Sequence, residues 1–304
     1  GKMLDVARMY RRLLYETRGT YEACGYDLVG AFRKLQDCGV LEIATASATH
    51  GFLPILKTQP SAVRAQLEVA GDVYRKTFGR QEEVVAAAVG RYFFVDTHGV
   101  MNAEVKPRYG YLAPLGCGNG TAAFGRDPAT SRLVWSADEG YPGDPWYRDF
   151  YRDIGFDLDF EYIRPFILDG HTRVFTGFKS HRLPGRTDER ALYKPEKARQ
   201  RADEHAADFL RRQVEMVSRC APLMDRPPVI TALYDAELFG HWWFEGPQWL
   251  DYLIRKLVCD QQMMGLITPG EYLARFGTPQ QVRPSASSWG EKGYSSFWLN
   301  PGND

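Results

Sequence analysis

The chain has 304 residues, with 38 basic and 38 acidic side chains, so its formal net charge is zero. That balance argues against nucleic acid or an anionic membrane as the main partner. The length can bury a sizeable core in one large domain or make two small ones. Five cysteines (Cys24, Cys38, Cys117, Cys220 and Cys259) are scattered without CxxC pairs or metal-like spacing. This points to reduced thiols in a cytoplasmic setting. No apolar run approaches the length of a membrane-spanning helix, and the N-terminus does not read as a signal peptide.

In chain order, residues from about Met3 to Leu35 read as helical, with a break near Gly25-Tyr26-Asp27. Leu41 to Ala46 reads as a strand leading into a loop that carries His50. Pro60 to Gly79 is helical, opening on Pro60-Ser61. Glu82 to Ala88 is a short helix and Arg91 to Asp96 a strand. Residues 107–162 are rich in Gly, Pro, Tyr and Asp. They read as a long loop excursion over an active face, because long ordered loops are usually functional. Thr172 to Phe178 reads as another strand. Pro195 starts a long amphipathic helix with Ala198, Ala202, Ala206, Phe209 and Leu210 near one face. Pro227-Pro228 precedes a strand from Val229, and helices return at Pro247 to Val258 and Pro269 to Arg275. This alternation predicts a parallel α/β barrel with function at the strand C-termini.

The stretch from Val229 to Pro247 carries the most chemistry. An apolar run, Val229-Ile230-Thr231-Ala232-Leu233-Tyr234, ends on Asp235, followed by Glu237, His241 and Trp242-Trp243. A buried strand that delivers an acid beside aromatic faces suits sugar chemistry. There an acid protonates the glycosidic oxygen and rings stack on the sugar. An ordinary core strand with a turn Asp after it explains the same residues. A metal centre is not expected, because the six histidines are dispersed and form no HxH or HxxxH pair. No cofactor is expected either.

YDAELFGHWWFEGPQWL closely resembles the fourth sequence region of glycoside hydrolase family 57. The stretches Ala48–Pro54, Arg91–Gly99, Phe124–Asp127, Glu139–Pro145 and Ser287–Glu291 resemble the same family in the same order. The resemblance implies a distorted seven-stranded (β/α) barrel, incomplete here, over residues 1–284, with residues 285–304 opening a C-terminal helical region. It implies 1,4-α-glucan branching: retaining transfer of an α-1,4-glucan chain to a glucose 6-hydroxyl. Amylose, amylopectin or glycogen would be the partner, and glycogen biosynthesis the setting. An α-amylase or 4-α-glucanotransferase of the same family is the alternative among enzymes. A non-catalytic glucan-binding protein is the alternative outside them.

By the same resemblance Asp235 is the general acid/base, which needs burial or a like-charge neighbour to stay protonated near neutral pH. Glu237 is expected on the opposite strand face, in a structural role. His50 is expected to hydrogen-bond a sugar hydroxyl. His98, beside Asp96, either caps a loop or meets substrate. His241 binds sugar, orients Asp235 or is structural, and Trp242 lies beside it. Trp289 and Trp298 are expected as stacking platforms. Tyr141, in Gly140-Tyr141-Pro142-Gly143, is a candidate lid residue that keeps water from a covalent intermediate, or a turn tyrosine.

Three pieces of the family pattern have no counterpart: an N-terminal strand with a His-Gln-Pro type motif, the last C-terminal helices, and the nucleophile segment. Phe78-Gly79-Arg80-Gln81 runs directly into Glu82-Glu83-Val84. The family there has a strand ending in Trp-Leu-Pro-Glu, whose glutamate is the nucleophile. Glu82 and Glu83 are poor substitutes, so the nucleophile is unassigned. A chain truly shortened in this way would leave sheet edges unpaired and could bind glucan without transferring it. Alternatively, internal stretches of a longer enzyme are missing. Cα atoms near Arg80, Gln81 and Glu82 would then lie much farther apart than the roughly 3.8 Å of a trans peptide, and a gap would face Asp235.

Overall fold

The computed structural model describes residues 3–79, 91–118, 120–184, 191–290 and 293–294. The expected join at Arg80, Gln81 and Glu82 lies outside them, as does Trp298. The helices are α1 (Leu4–Ala23), α2 (Leu28–Asp37), α3 (Leu53–Leu56), α4 (Pro60–Phe78), α5 (Thr97–Met101), α6 (Pro128–Trp135), α7 (Ile154–Asp157), α8 (Phe160–Ile163), α9 (Pro195–Cys220), α10 (Gly246–Cys259) and α11 (Pro269–Phe276). The strands are β1 (Tyr92–Val95), β2 (Leu115–Gly116) and β3 (Ala122–Gly125). The chain divides into two compact units. The first comprises residues 1–22, 128–219 and 233–265; the second comprises 23–127, 220–232 and 266–304.

The second unit holds the sheet, in order β1-β3-β2, with β1 parallel to β3 and β2 antiparallel to it. Side chains alternate across its faces, as a period of two requires. Tyr92, Ala122 and Phe124 pack with Tyr272 of α11, while Ala123 and Leu115 pack with Val100 of α5. Both faces of the parallel pair are therefore covered, the usual condition for parallel strands. The break between α1 and α2 falls at Gly25 and Tyr26, both at positive φ, and Asp27 then caps α2 by accepting from the Gly30 N–H at 2.7 Å.

Three expected strands form no ladder among the described residues, and their backbone groups show why. Ile43 donates its N–H to Gln36 Oε1 at 3.1 Å and its carbonyl accepts from Tyr74 Oη at 3.0 Å. Side chains thus take the bonds a neighbouring strand would need. The N–H groups of Thr176 and Gly177 go to the Asp153 carboxylate at 2.9 and 3.0 Å. In the Val229 segment Val229 N–H donates to Leu112 O and Asp127 N–H to Thr231 O, each at 2.9 Å. Residues 107–162, expected as a loop excursion, carry β2, β3 and α6 to α8 instead. β3 is hard to see in sequence because Ala122-Ala123-Phe124-Gly125 lacks the β-branched residues that mark strands.

The first unit is helical around one core. α9 presents Ala198, Ala202 and Ala206 at a four-residue spacing, and these small side chains allow close approach. Around them pack Phe209, Trp243 and Trp249. The Arg148–Glu245 pair, 2.7 Å apart, is buried with them. His205 is enclosed here too: its ring stacks on Tyr141 at 4.5 Å and its Nδ1 lies 2.7 Å from Tyr147 Oη. Burial first, and the neighbouring Arg201 second, hold the imidazole down to about 4. A buried neutral histidine binds fewer protons than the unfolded chain, whose value is near 6.5. Its contribution to stability is therefore present above pH about 6.5 and lost as pH falls toward the folded value. The melting temperature should fall across that window, and His205→Gln should flatten the slope measured by circular dichroism.

Candidate active site

In a parallel pair the loops after the strands are free to carry function. β1 and β3 end level with each other, Val95 opposite Gly125. The next residues are Asp96 and Arg126, whose N–H donates to Val95 O at 2.9 Å. Asp96 caps α5 by accepting from the Thr97 N–H at 2.6 Å, and its other oxygen is 3.8 Å from Arg126 Nη1. The Thr97 hydroxyl donates to Arg126 O at 2.8 Å and ties the two loops together. The Arg126 guanidinium lies 5.0 Å over the Trp289 ring, which is 38% exposed. His98 Nδ1 is 3.7 Å from Asp96 Oδ1, while its Nε2 lies 2.6 Å from Gly293 O. Asp96, His98, Arg126 and Trp289 thus form one cluster at the strand ends. His98 faces protein groups through both nitrogens, so it acts first as a latch within this cluster.

His50 sits in a separate loop of the same unit, exposed and at φ 56. A left-handed non-glycine residue is held by its surroundings. Here Thr49 N–H donates to Gln66 Oε1 and Gln66 Nε2 to Thr49 Oγ1, both at 2.9 Å, which fastens the loop to α4.

In the first unit Asp235 precedes a short 3-10 turn, Ala236–Leu238, and its carboxylate is exposed and makes no cap hydrogen bond. Leu238 and Trp243 are buried, and Trp243 N–H donates to Leu238 O at 2.8 Å. Asp235, Glu237, His241 and Trp242 are exposed between and beside these anchors. The opposite-face position of Glu237 depended on a strand running past Asp235, and the chain instead turns at Ala236. The burial expected for Asp235 is likewise not provided in this unit.

Rings form a row beside this turn. Trp135 and Trp242 are 6.1 Å apart, Trp242 and His241 6.0 Å, His241 and Phe150 5.9 Å, and Phe150 and Tyr151 5.4 Å. Trp242 is 44% and Tyr151 81% exposed. Trp135, Phe150, Tyr151 and Arg126 are additions to the residues read from sequence. The aromatic density of residues 107–162 signals the three rings, while Arg126 carries no such signal because β3 is hard to see in sequence.

Tyr141 is placed differently from the lid expectation. It is 7% exposed, donates its hydroxyl to Asp208 at 2.9 Å and stacks on His205. A ring held there is a packing residue, not an exposed loop tip. Burial and the Asp208 contact both push its hydroxyl well above the usual tyrosine range.

Comparison with known proteins bears on the family of the chain. A family model described as Glycosyl hydrolase family 57 matches residues 14–89. A 1,4-alpha-glucan branching enzyme of Thermococcus kodakarensis is 29% identical, over 96% of this chain and 46% of its own length. A probable 1,4-alpha-glucan branching enzyme of Mycobacterium tuberculosis is 32% identical, over 85% of this chain and 47% of its own. Among solved structures, the alpha-amylase AmyC of Thermotoga maritima superposes with a TM-score of 0.86 at 36% identity, over 94% of this chain and 58% of that one. A GH57-type branching enzyme of Pyrococcus horikoshii gives 0.82 at 28% identity, over 99% and 58%. The chain therefore spans about half the length of the curated relatives it matches. The alignment with the Thermococcus enzyme covers 340 positions, more than the 304 residues of the chain. That relative thus carries stretches within the aligned span that have no counterpart here.

Proposed function

Because the chain belongs to glycosyl hydrolase family 57, we propose that it is a 1,4-α-glucan branching enzyme acting by retaining transfer. The observation that carries this reading is the Asp235 turn, a segment that leaves both the Asp235 carboxylate and the Trp242 ring exposed. Asp235 would protonate the glycosidic oxygen of an α-1,4 bond. It would then deprotonate the 6-hydroxyl of the acceptor, so that the new bond is α-1,6. The partner carboxylate of a retaining reaction lies about 5–5.5 Å from the acid. No residue is assigned to that role, because none matches the family's nucleophile. Trp242, Trp289 and Trp298 would stack on glucose rings, with His50 and His241 as hydrogen-bonding groups. Amylose, amylopectin or glycogen is the proposed substrate, glycogen synthesis the proposed setting and the cytoplasm the proposed location. No helix among the described residues is long and apolar enough to cross a membrane.

In this reading residues 1–284 belong to the family's seven-stranded barrel. Hydrolysis is the second reading, favoured by the likeness to AmyC. Trp289→Ala should lower affinity for maltoheptaose about fivefold to a hundredfold, the loss of a stacked ring of roughly 1–3 kcal/mol by analogy with base stacking on aromatics. Titration calorimetry checks this, and unchanged affinity would remove Trp289 from the glucan site.

A further inference from the structure

We propose that Arg126 is a positioning residue that fixes the Trp289 ring as a sugar platform over the strand ends. This rests on the reading of Trp289 as a glucan contact. Trp289 lies in a segment without helix or strand, where an exposed indole on a coil would ordinarily sample several rotamers. Here the segment is fastened at three points. Ser285 N–H donates to Gly99 O at 2.9 Å. Ser288 N–H donates to Gly293 O at 2.8 Å, closing the turn on itself. The Gly293 carbonyl in turn meets His98 Nε2 at 2.6 Å. Two glycines make this approach possible: a Cβ on Gly99 would collide with Ser287 Oγ, and one on Gly293 with the His98 ring.

These bonds hold the backbone and leave the indole itself to be oriented. Arg126 does that. Its backbone is fixed at the end of β3, its side chain is mostly buried and 3.8 Å from Asp96, and its guanidinium covers Trp289 at 5.0 Å. A guanidinium stacks flat on an aromatic face, so the contact sets ring orientation as well as distance. A platform oriented before binding loses less side-chain freedom when sugar arrives. Lysine, a point charge on a flexible stem, keeps the attraction and loses the flat register.

The test is a double-mutant cycle read by calorimetry with maltoheptaose. Arg126→Ala should lower affinity about fivefold, and Arg126→Lys should recover part of the loss. In a Trp289→Ala background, Arg126→Ala should have no further effect, because its action passes through the ring. Additive losses would overturn the proposal and make Arg126 a sugar contact in its own right. No loss in the single variant would overturn it as well. If Trp289→Ala alone binds normally, the platform reading fails and this proposal falls with it, a result distinct from failure at Arg126. Should Arg126→Ala lose its near-ultraviolet circular dichroism, Arg126→Gln, which keeps the bulk without the charge, carries the same cycle.

Discussion

Asp235→Asn should lower glucan transfer by about 10²–10⁴-fold, the usual contribution of a general acid or base, while leaving affinity for maltoheptaose unchanged. The side chain is exposed at the start of a short turn and caps nothing, so its loss costs the fold little. The amide keeps its shape and removes only the transferable proton. Initial rates on amylose separate this from a binding role: a fall in kcat at constant KM is expected. A variant with near-native kcat would take Asp235 out of the chemistry.

The second large effect is on stability. Asp153→Ala should destabilise the first unit by about 3–5 kcal/mol, or roughly 6–20 °C in melting temperature. Asp153 is fully buried. One oxygen accepts from Gly155 N–H at 2.9 Å, Thr176 N–H at 2.9 Å and Thr176 Oγ1 at 2.7 Å. The other accepts from Gly177 N–H at 3.0 Å and lies 3.3 Å from Lys179 Nζ, itself buried. Removing the carboxylate leaves that ammonium without its counter-charge, the costly way to break a buried pair. Burial raises this carboxyl, but the bonds from Thr176, Gly155 and Lys179 outweigh it and hold it below the ordinary range. Its stabilisation is therefore present above pH about 3.9 and fades as pH falls through the lowered value. Urea unfolding at neutral pH measures the effect, and a midpoint equal to the unmodified chain would contradict it.

Asp153 also explains which parts of the fold were legible. Helices α4, α9 and α11 follow from periodicity, a proline in the first turn and, for α4, Gly79 in the left-handed region at its end. β1 follows from Tyr92-Phe93-Phe94-Val95. The segment Thr172 to Phe178 has the same apolar character, yet its donors are claimed by a carboxylate some twenty residues upstream. No local pattern announces that capture. In Leu41 to Ala46 the bonds of Ile43 go to Gln36, seven residues before it, and to Tyr74, thirty-one residues after it.

The site divides in the same way. Asp235 stands out in sequence as the acid that ends the apolar run Val229–Tyr234, and the chain turns directly after it. Asp96 and His98 were readable as residues after a strand. Arg126 was not singled out, because its role depends on β3, and Ala122-Ala123-Phe124-Gly125 does not look like a strand. Gly140-Tyr141-Pro142-Gly143 fits either a lid tip or a turn, and sequence alone does not separate them; the residues form a short turn. The Tyr141 ring turns inward to Asp208 and His205.

The proposed reaction is transfer of a glucan chain to a 6-hydroxyl. Incubation with amylose, followed by proton NMR of the anomeric region and a parallel count of reducing ends, tests it most directly. Expected are α-1,6 signals that grow with time, few new reducing ends, and neither change with Asp235→Asn. Reducing ends that rise without α-1,6 signals, or amylose left unaltered, would contradict it.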